Sequence, residues 1–472
     1  MKKSEFERWS NEATRWSSDY LANIEKFPVR AQTQPGDIAA QIPETAPQEA
    51  EPMEQIMADF EHIIPPGMTH WQHPRFFAYF PSNAAPAAMI AEQLATSMAA
   101  QCMLWQTSPS ATELEQRMVQ WLRDAVGLPD TFDGVLQDTA STATLCAILT
   151  MRERALNWEG NQKGLSEQPR LRVYASSRTH SSIDKAMWIA GLGQDNLVKI
   201  DTNTEFALKV SELRQEIEAD IAKGYKPAGV VVCVGGTSMG ASDDVREVCE
   251  IAQEYDLFTH VDAAWAGSAM ICPELRTLWD GIELADSIVL NPHKWLGASM
   301  ECSAHFIKDP ASLVRTMAIQ PEYLKTYGKD GIVNFSEWSV QLGRRFRALK
   351  VWFLMRAYGV KGLQTMIRNH VAWSEKLAAR LCAESDFTIT TQPILSLFTF
   401  KYSPKTLPNN VNPDELNRSL VNAINDDGRI YLTQSLHDGE VVIRFMCGQF
   451  DMEEKDIDVA FNTIVDVARS MS

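Results

Sequence analysis

Cysteine is sparse in this sequence: eight residues in 472, with no CxxC pair among them. That excludes a disulfide framework and a thiolate zinc site of the usual spacing. No uninterrupted apolar run approaches the ~20 residues needed to cross a bilayer. The first residues, Met1-Lys2-Lys3-Ser4-Glu5-Phe6, lead into charge and not into an apolar signal core. Basic charge is also in short supply, since 44 Lys and Arg against 61 Asp and Glu leave a net charge of −17. A surface this acidic repels phosphate backbones and anionic lipid, so neither nucleic acid nor a membrane is an expected partner. What is present is ordinary for a large core: 45% hydrophobic and 22% charged residues. The length suggests about three domains. A cytoplasmic protein is expected.

Residues 1–84 read as a helical arm. Trp9, Trp16 and Tyr20 recur at about helical spacing, and the Pro and Ala around 43–52 suggest an exposed connector. Such an arm would have trouble burying its apolar residues alone. A second copy of the chain is the expected partner, with folding onto its own subunit the alternative. Residues 85–350 alternate helices with short apolar strands. Ser110-Ala111-Thr112-Glu113 reads as a capping box, with Leu114, Met118 and Leu122 on one helix face and Gly127 and Pro129 as the stop. The runs Gly229–Val234, Leu257–Val261 and Ser287–Leu290 are unbroken, as in strands covered on both faces, and their spacing suits a mostly parallel sheet. Residues 351–472 read as a smaller α+β domain, with strands in 387–402 and 429–445 and a hairpin turn at Asp438-Gly439. The fold class is therefore α/β.

In such sheets ligands bind beyond the carboxyl ends of the strands. After Leu290 comes Asn291-Pro292-His293-Lys294-Trp295, and a desolvated lysine there would become a nucleophile able to form a Schiff base. The alternative is a lysine snorkelling from a loop. Asp262 closes the preceding apolar strand, where a carboxylate either caps a helix or pairs with a protonated ring nitrogen. Lysine with aspartate is the pair that pyridoxal phosphate needs. Asp138-Thr139-Ala140-Ser141-Thr142 opens a helix whose free N–H groups suit a phosphate. His180 opens another helix and either caps it or stacks on a cofactor ring.

The chain closely resembles the aromatic-L-amino-acid decarboxylases among the group II pyridoxal-phosphate decarboxylases. The resemblance rests on His70-Trp71 with Phe76–Pro81, His180-Ser181-Ser182, His260–Gly267, Asn291–Trp295 and Leu342–Arg347. It implies a fold-type I enzyme that works as a homodimer, with active sites at the subunit interface and an amino acid as the small-molecule substrate. It implies that Lys294 carries pyridoxal 5'-phosphate, Asp262 pairs with its ring nitrogen, His180 stacks on one face and Ala264 packs on the other. Ala140, Ser141 and Asn291 would hold the phosphate, with Thr237 and His293 also counted among the cofactor residues. Tyr323, in Pro321-Glu322-Tyr323-Leu324-Lys325, matches the tyrosine that returns a proton to Cα, and Gly328 and Gly331 suit a loop that closes.

Trp71, Tyr79, Phe80 and Pro81 match an aromatic pocket wall in the family. Gly343 matches the residue found in indole users and broad aromatic enzymes, where histidine-preferring and plant tyrosine-preferring relatives tend to carry serine. Ser82 replaces a common threonine, while Gln101 and Met103 stand where relatives usually offer Ile and Phe from the partner side. Aromatic aldehyde synthases share this fold, but carry phenylalanine or asparagine at the positions of Tyr323 or His180. An aminotransferase would anchor the substrate carboxylate with arginine, for which Arg444 is the candidate. His70 and His73 are spaced as a helical metal pair but lack a third ligand, so no metal is expected.

Overall fold

The structure is a computed structural model that describes residues 1–319, 331–405 and 412–471. The chain divides into two compact units. One is Ser82–Ala372 with Pro393–Leu397; the other is Met1–Pro81 with Trp373–Gln392 and Phe398–Ser472.

The first unit is built on a seven-stranded sheet: β1 (Asp133–Gln137), β2 (Leu171–Ser176), β3 (Leu197–Ile200), β4 (Lys226–Cys233), β5 (Phe258–Asp262), β6 (Ser287–Leu290) and β7 (Ser303–Ile307). Their order is β1-β7-β6-β5-β4-β2-β3. The run from β6 to β3 is parallel throughout, as its unbroken Val and Ile segments require, and Val230, Val231 and Val232 are wholly buried. The helix Ala140–Ala155 covers one face with Ala143, Cys146, Ala147, Ile148 and Met151. β7 was not foreseen. It runs antiparallel between β1 and β6, setting Ser303 opposite Gln137 and Ala304 opposite Leu290.

The capping box expected at Ser110–Glu113 does not form. The helix runs Pro109–Val126, with Ser108 at its N-cap and no side-chain cap. Pro109 starts it early, because its fixed φ suits the first helical position. Ser108 Oγ instead donates to the Gln101 carbonyl at 2.8 Å, and Glu113 accepts from Trp105 Nε1 at 3.0 Å. Met118 and Leu122 are buried as expected, and Gly127 closes the helix at φ +77°.

The second unit holds a smaller sheet of β8 (Phe387–Ile394), β9 (Leu397–Tyr402), β10 (Thr433–His437) and β11 (Glu440–Met446), in the order β10-β11-β9-β8. The expected hairpin forms at Asp438-Gly439, both at positive φ, which suits the right-handed twist of the flanking strands. Helices Pro413–Asp427 and Glu454–Ser470 supply Leu420, Ile424, Ile457 and Ile464 to a core with Phe398, Phe400 and Phe445. In the arm, helices Phe6–Asn23 and Met53–Ile63 flank a connector whose residues 43–52 are all exposed. Trp16 and Tyr20 stack at 5.2 Å. His70 and His73 lie in a loop, not on a shared helix face. His70 Nδ1 hydrogen-bonds Tyr20 Oη at 2.8 Å, and His73 Nδ1 accepts the Arg75 N–H at 3.0 Å.

Candidate active site

β7 decides where the functional segments meet. β1 and β6 both run antiparallel to it, so they point the same way as β5, β4 and β2. The carboxyl ends of these five strands therefore share one edge. From that edge emerge Asp138–Ser141, Asn291–Lys294, Ala263–Ala264, Gly235–Thr237 and Ser177–His180, the segments singled out in the sequence.

The turn carrying Lys294 is held on several sides. The Asn291 N–H donates to the Ala264 carbonyl at 2.8 Å, and the Lys294 N–H to the Asn291 carbonyl at 3.0 Å. Asn83 Nδ2 donates to the Lys294 carbonyl at 2.9 Å. Ser303 Oγ donates to Asn291 Oδ1 at 2.6 Å, so the unforeseen strand fixes that amide. His293 accepts the Cys302 N–H on Nδ1 at 3.0 Å. Burial, with the neighbouring Lys294 charge, pushes the His293 pKa down to about 4, so its ring is neutral. The lysine side chain itself is only partly buried.

Asp262 is buried, with 7% of its surface exposed, and its Oδ1 accepts the Ala264 N–H at 3.1 Å. Ala264 is partly buried and Thr237 is exposed. At the helix Ala140–Ala155, Thr139 Oγ1 caps the Thr142 N–H at 3.4 Å. The N–H groups of Ala140 and Ser141 precede the first intrahelical bond and face outward from the helix end. Asp138 lies beneath, accepting the Thr139 N–H at 2.6 Å and Gln341 Nε2 at 2.5 Å. Burial works to raise the Asp138 pKa, but hydrogen bonds from Thr142, the Thr139 N–H and Gln341 outweigh it and hold it below the usual carboxylate range. His180 is exposed and caps the helix Ser181–Ile189, its Nδ1 accepting the Ser182 N–H at 3.1 Å.

Several buried polar atoms have no hydrogen-bond partner: Thr179 Oγ1 in the segment leading to His180, Ser299 Oγ five residues after Lys294, Oε1 of Gln341, whose Nε2 bonds Asp138, and Nε and Nη1 of Arg347. Such groups call for further donors and acceptors. With an amine at Lys294, a buried carboxylate at Asp262 and free amides at Ala140 and Ser141, the donor set fits a phosphorylated pyridine aldehyde.

The residues expected to bind substrate fall in both units. In the first, Gln101 Oε1 accepts the Arg344 N–H at 2.8 Å, and its Nε2 lies 3.1 Å from where a Cβ on Gly343 would sit. The Met103 carbonyl accepts the Ser336 N–H at 3.1 Å, and Ser82 Oγ faces Met300 Sδ at 3.9 Å. In the second, Trp71 stacks near Tyr79 at 5.9 Å, and a Cβ on Gly448 would meet Pro81 Cγ at 2.9 Å. Arg444, offered as an aminotransferase's carboxylate anchor, donates to the Tyr79 carbonyl, and its guanidinium lies 4.5 Å from the Phe80 ring centre. Burial pushes its pKa down to about 9. This arginine is thus engaged with Tyr79 and Phe80.

Two neighbours of these residues were not foreseen. Tyr431 meets Tyr79 edge-on at 6.1 Å, and Arg344 forms a buried ion pair with Glu115 behind Gly343. A lone tyrosine ahead of a strand carries no local signal, whereas the arginine run could have suggested a buried acid. Tyr323, with Pro321–Lys325 and Gly328, lies outside the described residues.

Residues 35–403 match the family described as the pyridoxal-dependent decarboxylase conserved domain. A tryptophan decarboxylase of Camptotheca acuminata is 38% identical, over 98% of this chain and 94% of the relative. A phenylacetaldehyde synthase of Petunia hybrida is 36% identical, over 99% and 95%. The crystal structure of Oryza sativa TDC with PLP and tryptamine superposes with a TM-score of 0.96, at 32% identity, covering 100% of this chain and 99% of that one. The chain belongs to the pyridoxal-dependent decarboxylase family and is a carboxy-lyase that uses pyridoxal 5'-phosphate.

Proposed function

We propose that this enzyme decarboxylates aromatic L-amino acids, among them tryptophan, 5-hydroxytryptophan, dihydroxyphenylalanine, tyrosine and phenylalanine, releasing the amine and CO2. The observation that carries the reading is that Lys294, Asp262 and His180 lie at the carboxyl ends of three parallel strands, in a chain whose relatives bear aromatic decarboxylase names. Lys294 is the amine that carries the cofactor and Asp262 the carboxylate facing its ring nitrogen. His180 and Ala264 cover its two faces. Ala140, Ser141 and Asn291 hold the phosphate, with Thr237 and His293 beside them. Pyridoxal phosphate supplies an electron sink for the pair left on Cα when CO2 departs.

The other residues bind, orient and exclude water. Trp71, Tyr79, Phe80 and Pro81 offer flat apolar surface to an aromatic side chain. Ser82, Gln101, Met103 and Gly343 shape the rest, Gln101 and Met103 from the partner subunit in a homodimer. Burial of the substrate carboxylate among rings favours loss of its charge as CO2. Tyr323 returns the proton to Cα. Residues 1–84 are the arm that joins the two copies, and the dimer works in the cytoplasm.

The test offers the purified protein, with pyridoxal phosphate, a mixture of aromatic amino acids, histidine and glutamate, and identifies the products by mass spectrometry. Amines from the aromatic acids are expected. Keto acids, or amines from histidine or glutamate alone, would overturn the substrate assignment. The second reading is an aromatic aldehyde synthase, favoured by the similarity to the Petunia enzyme. Aldehyde as the main product would select it.

A further inference from the structure

Two tryptophans lie immediately behind the functional strand ends. Trp265 is three residues after Asp262, and Trp295 is next to Lys294. Both are buried, with ring centres 5.2 Å apart. An indole has a single N–H and accepts nothing, so each makes one directed bond. Trp265 Nε1 donates to the Gly235 carbonyl at 2.5 Å. Trp295 Nε1 donates to His370 Nδ1 at 2.9 Å, and the two rings lie within 8° of parallel. His370 is buried on the helical segment that follows the break at Gly359 (φ +66°) within Arg347–Ala383. As acceptor on Nδ1, its imidazole is neutral with the proton on Nε2.

The cluster has little slack. A Cβ on Gly235, at φ +79°, would meet Ala266 Cβ at 2.4 Å and Trp265 Nε1 at 2.8 Å. The chain therefore passes at van der Waals distance from the indole, and neither can shift alone. One buried brace links the turn after β4, the segment after Asp262, the Lys294 turn and the helix that carries His370.

We propose that His370 is a positioning residue, which acts through Trp295 and Trp265 to hold the Lys294 amine in register with Asp262. The inference rests on the reading of Lys294 as the cofactor lysine. The physical reason is that Trp295 shares a peptide unit with Lys294. Without an acceptor, its buried N–H is unfavourable, so the indole turns to find one and carries that peptide with it. Displacement on the order of 1 Å at a reacting group costs up to about a hundredfold in rate.

The experiment compares holoenzyme carrying His370→Leu, which removes the acceptor, with His370→Asn, which places an oxygen near the former Nδ1. Trp295→Phe removes the donor while keeping a ring. The readouts are kcat, KM, the circular dichroism of the cofactor absorption band and the thermal midpoint. His370→Leu should keep the band but change its ellipticity, and lose about tenfold or more in kcat with KM within about twofold. His370→Asn should recover most of both, and Trp295→Phe should reproduce the loss. The proposal is overturned if both histidine variants lower the thermal midpoint alike while kcat and ellipticity stay at wild-type values. Should His370→Leu fail to fold, unchanged kcat and ellipticity in Trp295→Phe would overturn it equally. Lys294→Ala should abolish the borohydride-stable attachment of the cofactor to the chain, and an attachment that survived it would instead refute the reading of Lys294.

Discussion

Arg344 and Glu115 form a two-pronged ion pair inside the first unit, with Nη2 to Oε1 at 2.7 Å and Nη1 to Oε2 at 3.2 Å. The same groups bond the backbone of β1: Glu115 Oε1 accepts the Leu136 N–H at 2.9 Å, and Arg344 Nη2 donates to the Leu136 carbonyl at 2.8 Å. The segment bearing Gly343 is thereby tied to the strand that leads into the helix Ala140–Ala155.

Removing one partner leaves the other charge buried and unpaired. Glu115→Ala is expected to cost about 3–5 kcal/mol, read as a lower midpoint in urea. Replacing both residues with Met should recover only part of that loss, since it removes the unpaired charge but leaves the Leu136 N–H and carbonyl without their side-chain partners. A Glu115→Ala variant as stable as the parent would show that the Arg344 charge does not depend on this partner.

Gly343→Ser should narrow the pocket on the side of Gln101. The new Cβ would stand 3.1 Å from Gln101 Nε2, tighter than ordinary contact, so the amide must move. The expected result is a fall of about tenfold in the kcat/KM ratio of tryptophan to tyrosine. Competing both substrates in one reaction measures it directly, and an unchanged ratio would place ring selection elsewhere.

Acid should destabilise the enzyme through its buried histidines. His305 is fully buried with neither ring nitrogen hydrogen-bonded, and burial pushes its pKa from 6.5 down to about 4. Burial also carries His293 to about 4 and, with Arg75 and His70 nearby, His73 to about 3. These rings stay neutral in the fold while the unfolded chain takes up protons below 6.5. Their contribution is thus complete above that pH and is lost as the pH falls toward 4. His305→Phe should raise the thermal midpoint more at about pH 5 than at about pH 7.5. Equal shifts at the two pH values would remove His305 from the acid transition.

Tyr323→Phe tests the proton-return role assigned by family likeness. Without the hydroxyl, turnover should divert to an oxidative route that consumes O2 and water and releases aldehyde, CO2, ammonia and hydrogen peroxide. A peroxide assay with product identification distinguishes the routes. Amine as the sole product at the parental rate would exclude the role.

Much of the fold was legible in local pattern. The unbroken runs at 229–234 and 287–290 marked two-sided burial, and Asp438-Gly439 marked a hairpin, because both depend on neighbours in sequence. The capping box at Ser110–Glu113 failed for a local reason: Pro109 competed for the helix start and Trp105 for the glutamate. β7 was illegible because Ser303–Ile307 is short and mixed, and only pairing with β1 and β6 makes it a strand.

By itself the sequence determined which chemistry is available: a lysine and an aspartate at strand ends, hydroxyl-rich helix openings, and the motifs of a decarboxylase. These are properties of residue type and near neighbours. Tertiary structure decided which groups are neutral, paired or free. His293 loses its charge, Arg444 supports Phe80 and Tyr79, Trp295 leans on His370, and Arg344 meets Glu115. Such outcomes depend on desolvation and on partners up to hundreds of residues away, which only the packed chain brings together.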